Sequence, residues 1–127
     1  MTNITRDITS TVDTYISMWN EADPARRAQQ IEQAWVDGGV YTDPLHEAEG
    51  YDGLSVMVEA VHAGYPGYRF RRSTGVESHH DSVRFGWEFL KPDGSLHVAG
   101  TDIGTVTPDG RLQSITGFFG DPPALEG

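Results

Sequence analysis

Three side chains carry chemistry that would matter if the fold brought them together: Asp43, Asp102 and Tyr15. The stretch Val40-Tyr41-Thr42-Asp43-Pro44-Leu45 reads as a short strand that ends in a carboxylate. Pro44 has no amide N–H and biases the residue before it towards extended backbone, so the strand stops there and Asp43 is fixed at its end. A carboxylate presented this way can be a general base, a hydrogen-bond anchor or the first residue of a turn; turns are the commoner use. Asp102 lies in a run where Leu96, Val98, Gly100, Asp102, Gly104 and Val106 share one strand face, and it is the ionisable residue on that face. The opposite face, with His97, Thr101 and Thr105, reads as solvated. A carboxylate alone among valines and glycines is costly unless paired or protonated. It either bonds a partner in the core or faces a ligand cavity. Tyr15 falls on the apolar stripe of a helix, either as core with its hydroxyl at the rim or reaching the same cavity as Asp102.

The remaining candidates are histidines and aromatic residues. His79-His80 is a tempting pair, but neighbours on a regular strand point to opposite faces and cannot ligate one metal together. His79 shares the apolar face of its strand with Val83, Phe85, Trp87 and Phe89 and is expected at a cavity mouth. His62 extends the apolar side of a helix and is expected to line the cavity. Trp19, Trp35, Trp87 and Phe118 are the aromatic candidates for its wall; three tryptophans and five phenylalanines suit an apolar ligand pocket and an ordinary core alike. No metal-ligand spacing, phosphate-binding glycine loop or nucleophile elbow occurs, so no metal and no nucleotide cofactor is expected.

The elements that must position these groups follow from periodicity. Ile8, Val12, Tyr15, Ile16 and Trp19 recur on one face of a helix from about Thr5 to Asn20. Asp23 caps a second helix with Pro24 at its first position, Ala28, Ile31, Ala34 and Trp35 form its stripe, and Gly38-Gly39 is expected to end it. Residues 46–53 read as a loop. Leu54, Met57, Val58 and Val61 mark a third helix, ended by Gly64 and Pro66. From Gly67 the period becomes two. Strands are expected at Tyr68-Phe70, from about His79 to Leu90, from Leu96 to Thr107, and on to about Phe119, with Pro-Asp-Gly turns before Leu96 and after Thr107. Three helices followed by an antiparallel meander of about four strands make an α+β fold, with a pocket between the layers.

The chain has 127 residues, 37% of them hydrophobic, which fits one domain spanning 1–127 with loose ends at 1–3 and 121–127. It has no cysteine, which excludes disulfides and thiolate chemistry. A net charge of −10 argues against a nucleic-acid partner; Arg69, Arg71 and Arg72 make only a weak patch. The first residues lack a signal-peptide pattern and no apolar run spans a bilayer, so a cytoplasmic protein without a membrane partner is expected.

Taken with the order of elements, Tyr15-Ile-Ser-Met-Trp-Asn-Glu-Ala-Asp23, Tyr41-Thr-Asp-Pro44, and Asp102 through Asp109-Gly-Arg-Leu to Gly117-Phe-Phe-Gly120 resemble the nuclear-transport-factor-2-like superfamily. The nearest resemblance is to its SnoaL-like branch of polyketide cyclases and ketosteroid-isomerase relatives. The resemblance covers nearly the whole chain. It implies a cone-shaped α+β barrel, a curved antiparallel sheet covered by three N-terminal helices, with a deep hydrophobic cavity and a homodimer formed through the outer sheet face. It also implies a site in which Asp43 moves a proton while Tyr15 and a protonated Asp102 donate hydrogen bonds to an enolate oxygen. His79-His80 and Trp87 have no counterpart in that pattern. The expected activity is that of a cofactor-independent isomerase or aldol-type cyclase on a small hydrophobic carbonyl compound. The alternative is a non-catalytic ligand- or partner-binding domain. Epoxide hydrolysis would need an Asp-Arg-Asp relay, for which no second Asp and Arg are placed.

Overall fold

The computed structural model describes residues 7–126. Helix α1 spans Ile8–Asn20, and the Asp7 side chain accepts from the Thr9 amide at its N-terminus; the expected start at Thr5 lies outside the described residues. Its buried stripe is Val12, Tyr15, Met18 and Trp19. Helix α2 (Pro24–Ala34) has the expected cap, Asp23 accepting from the Arg26 amide at 3.0 Å, with Pro24 in the first turn. It ends four residues before Gly38, not at the Gly-Gly pair. Trp35 opens strand β1 (Trp35–Thr42) directly, and the two glycines fall in a bulge where the pairing jumps from Trp35↔Leu112 to Val40↔Ser114. A Cβ at Gly39 would come within 2.5 Å of the Trp35 ring, so the glycine makes room for that indole.

The stretch expected as a loop, 46–53, contains strand β2 (Glu47–Glu49) and the first turn of helix α3 (Gly50–Gly64). Beyond it come β3 (Arg69–Arg72), β4 (Glu77–His79), β5 (Ser82–Leu90), β6 (Leu96–Val106) and β7 (Leu112–Phe119). The single strand expected from His79 to Leu90 is a hairpin: the chain reverses at His80, which has φ 53°, and β4 folds back on β5. Both Pro-Asp-Gly turns form, with Gly94 and Gly110 at positive φ and their amides bonded to Lys91 and Thr107 carbonyls.

The seven strands make one sheet in the order β2-β1-β7-β6-β5-β3, with β4 attached to β5. The β1–β7 pair is parallel and the other pairs are antiparallel. The sheet is curved and unclosed, and with the three helices it makes the expected cone-shaped α+β fold. All three helices lie on its inner side, α1 packing on α2 and β3 and α3 on β1 and β2. The core between the layers is built on Trp35, Tyr15, Phe85, Met18, Leu54 and Ile115.

Two polar devices hold the helices in place. Arg27 stands where a stripe of alanine and isoleucine was expected, and it is buried while Ala28 is exposed. Its guanidinium donates to Ser55 Oγ on α3, to the Glu21 carbonyl and to Glu59. Asn20, at the end of α1, accepts from the Phe70 amide and donates to its carbonyl, at 2.7 and 2.8 Å, which covers the free edge of β3. Because Arg27 is buried and Glu59 largely exposed, the two ends of their pair are unequal. Arg27→Met is expected to lower stability by about 2–3 kcal/mol, since it leaves buried acceptors without donors. Glu59→Gln should cost less than about 1 kcal/mol. Urea unfolding of the two variants checks the ordering.

Candidate functional site

A cavity of about 240 Å³ opens between α1, α3 and the inner sheet face. Tyr15, Tyr41, Asp43 and Asp102 line its polar end, Trp19, Phe70, Trp87 and Phe89 its walls, and Tyr65 and His97 are among its remaining lining residues.

Asp102 is only 2% exposed and is held by two donors. Tyr15 Oη lies 2.7 Å from Oδ2, and Trp87 Nε1–H donates to Oδ1 at 2.9 Å. Trp87, which the isomerase pattern left without a role, thus joins the carboxyl group directly. The reach depends on a glycine. Trp87 pairs with Gly100 across β5 and β6, and a Cβ there would lie 2.4 Å from the indole, so only glycine lets the ring cross the strand towards Asp102. Burial pushes the Asp102 carboxyl up to about 7; the Tyr15 and Trp87 hydrogen bonds pull it back, and the charge of Asp43 pushes it further up. Burial, followed by the charge of Asp102, also raises Tyr15 and Tyr41 well above the ordinary phenol range. Both stay neutral hydrogen-bond donors.

Asp43 follows the last residue of β1, as its position before Pro44 implies. Its Oδ1 accepts from the Leu45 and His46 amides at 2.7 and 2.8 Å, and its Oδ2 accepts from Tyr41 Oη at 2.6 Å. Turn-former, anchor and cavity residue are therefore one and the same. His46 Nδ1 lies 3.2 and 3.3 Å from the two oxygens. The two carboxylates flank a single glycine. Gly117 pairs with Asp102 across β6 and β7, and a Cβ on it would meet Asp102 Oδ1 at 2.9 Å, Asp43 Cβ at 3.3 Å and Tyr41 Oη at 3.4 Å.

Four of the expected lining residues lie elsewhere. Trp35 is fully buried beneath the cavity, its ring 5.9 Å from that of Tyr15, because β1 begins with it. His62 turns its Nε2 to the Trp19 carbonyl at 2.7 Å and closes the end of α1 instead. His79 is exposed on the outlying β4, carried away by the reversal at His80. Phe118 is 54% exposed on the outer sheet face; the Asp102↔Gly117 register turns residues 117 and 119 inward, so Phe119 lines the cavity. Trp19 and Trp87 do line it. His97 is the converse case. Exposed as expected, it is nonetheless the extra residue of a bulge between Phe89↔Val98 and Leu90↔Leu96, which swings its ring against Tyr65, Tyr68 and Phe89 at the cavity mouth. Tyr41 could have been found from sequence, two residues before Asp43 on the same strand face. No sequence signal marked His97. Among the described residues no group of three or more His, Asp or Glu side chains is placed to hold a metal ion.

No protein-family model matches the chain, and no functionally curated protein matches it. Solved structures do. A protein of Agrobacterium tumefaciens, provisionally named an isomerase of the SnoaL-like family, is 36% identical, with a TM-score of 0.83 over 88% of this chain and 96% of its own. The chain belongs to the SnoaL-like family. Two more distant neighbours share the fold. One is a provisionally named polyketide cyclase from Sinorhizobium meliloti, 16% identical with a TM-score of 0.65 over 85% of this chain and 93% of its own. The other is an NTF2-like protein of unknown function from an Exiguobacterium, 19% identical with a TM-score of 0.68 over 88% of this chain and 99% of its own. As to location, no helix among the described residues is long and apolar enough to cross a membrane.

The raised Asp102 carboxyl links protonation to stability. A carboxyl raised from the ordinary range to about 7 stabilises the fold fully below pH ~4. That contribution is lost as pH rises towards 7 and is absent above it. The unfolding free energy of the wild type minus that of Asp102→Asn should therefore fall between about pH 4 and 7, by at most about 4 kcal/mol, and level off above. A difference that stays flat across that window would mean that Asp102 is ionised in the folded protein.

Proposed function

We propose that this protein moves a proton at a carbon next to a carbonyl in a small, uncharged, apolar molecule, as a cofactor-independent isomerase or aldol-type cyclase. The observation that carries the reading is the pair of carboxyl groups flanking Gly117 with different partners: Asp102 between two side-chain donors and raised to about 7, Asp43 at a strand end among four donors, its side chain 5% exposed. Burial raises Asp102 towards holding its proton, which suits it to the hydrogen-bond-donating side of a proton transfer. The lining contains no lysine or arginine, and its walls are aromatic, which suits a neutral apolar substrate.

The hydrogen bonds suggest how a developing oxyanion is met. Trp87 Nε1–H is a donor only, so Asp102 Oδ1 must accept. When Asp102 carries its proton, the 2.7 Å bond in which Tyr15 donates to the ionised Oδ2 reverses: the proton sits on Oδ2 and donates to Tyr15 Oη, which frees the Tyr15 O–H for the ligand oxygen. Asp102 and Trp87 act behind Tyr15, and Tyr15 touches the substrate. The Asp43 corner, on the other side of Gly117, takes the carbon-bound proton. Solvent-deuterium exchange into a panel of small cyclic ketones and enones, followed by NMR, tests this. The wild type should accelerate exchange, and Tyr15→Phe should lose ~10²–10³ of the rate. Asp102→Asn should keep part of the activity and Asp102→Leu should lose it. Buffer-level exchange with every ketone in the wild type would remove the enzymatic reading.

A second reading, ligand binding without turnover, draws on the bonding of Asp43 Oδ1 to two backbone amides. Quenching of Trp19 and Trp87 emission by the same ketones, with no exchange, would select it. Either function is proposed for a homodimer, since Ile103 and Phe118 expose apolar surface on the outer sheet face. Sedimentation as a 14.0 kDa monomer at tens of micromolar would argue against the dimer.

A further inference from the structure

We infer that the proton acceptor of this cavity is His46 Nε2, and that Asp43 is the residue that positions it. An ionised carboxylate offers about four lone-pair sites. Those of Asp43 are committed: Leu45 N–H and His46 N–H on Oδ1, Tyr41 O–H on Oδ2, and the His46 ring within reach of both. No site is left for a proton from a substrate. Both oxygens already accept from the first three of these donors, so the ionised group presents the His46 ring with acceptors only. Nδ1 must then carry the hydrogen, and in the neutral ring the lone pair lies on Nε2. Nε2 has no hydrogen-bond partner among the described residues, and the ring lines the cavity with its side chain 31% exposed. The four residues Asp43-Pro44-Leu45-His46 thus build both members of the pair. Pro44 ends the strand, the Asp43 carboxylate gathers the turn amides, and the turn delivers His46 back over that carboxylate. The other titratable groups lining the same cavity are Tyr15 from α1, Tyr41 from β1, Tyr65 after α3, and His97 and Asp102 from β6.

The inference deepens the proposed proton transfer and rests on it for the choice of substrate. The carbon–hydrogen bond next to the carbonyl breaks, and its electron pair becomes the carbon–carbon π bond. The carbonyl π pair moves onto the oxygen held by Tyr15, and the proton goes to Nε2. The imidazolium so formed lies against the Asp43 carboxylate, and it returns the proton to another carbon of the enolate or exchanges it with solvent.

Two measurements test it on the intact chain. Long-range ¹H–¹⁵N correlation spectra should show neutral His46 as the Nδ1–H tautomer in the wild type. In Asp43→Asn, whose amide offers N–H to the ring, it should become the Nε2–H tautomer. In the ketone exchange assay, His46→Gln should lose ~10²–10⁴ of the rate while keeping the wild-type circular dichroism and thermal transition. An Nε2–H tautomer in the wild type overturns the inference. So does a His46→Gln variant at the wild-type rate beside an inactive Asp43→Asn, which would make Asp43 itself the acceptor. If no ketone exchanges in the wild type but the tautomers are as stated, the carbonyl chemistry fails and His46 Nε2 stands as the acceptor for another ligand.

Discussion

A carboxyl group inside an apolar layer is the constraint on which this molecule turns. Asp102 is held between a tyrosine from α1 and a tryptophan from β5, in a strand whose inward neighbours are glycine and valine. Leaving a carboxylate there without partners would cost several kcal/mol, so donors or a proton must come with it. The donors come from different elements, which ties the register of the helix to that of the sheet. A shift of α1 by one residue would withdraw the Tyr15 hydroxyl and strand the acid.

The same constraint explains the glycines of β6 and β7. Gly100 lets the Trp87 indole cross its strand, and Gly117 leaves the space in which Asp102, Tyr41 and Asp43 approach one another. Each is a place where a side chain on the sheet has been traded for close approach of polar groups. The aromatic wall then follows, since Trp19, Trp87 and Phe89 all pack on Phe70, with Phe70 and Phe89 stacked at 4.0 Å. These rings exclude water, and in a dry site hydrogen bonds from Tyr15 and Trp87 are worth more than they would be at the surface.

Much of this was legible before any coordinates. Alternation put Asp102 on an apolar face, Pro44 fixed the end of β1, and helical spacing put Tyr15 and Trp19 on one stripe, all as the structure has them. What was not legible depends on bulges and reversals, where local pattern and pairing part company. One extra residue in β6 brings His97, which stays exposed, to the cavity mouth, and a left-handed His80 takes His79 away from it. Phe118 and Phe119 could not be told apart without knowing that Gly117 faces Asp102. Arg27 is not legible because a charged residue in a helix stripe is read as surface, and two of its partners, Ser55 and Glu59, lie far along the chain in α3. His46 was passed over because its partnership with Asp43 is made by the turn, not by periodicity.

With its carboxyl raised to about 7, Asp102 holds its proton under conditions where ordinary aspartates are charged. The most direct measurement is the ¹³C chemical shift of its side-chain carboxyl carbon followed through a pH titration, assigned by loss of the signal in Asp102→Asn. A midpoint near about 7 is predicted, well separated from the solvent-exposed aspartates. A midpoint near ~4, in the ordinary aspartate range, would mean that Asp102 is ionised in the folded protein at neutral pH.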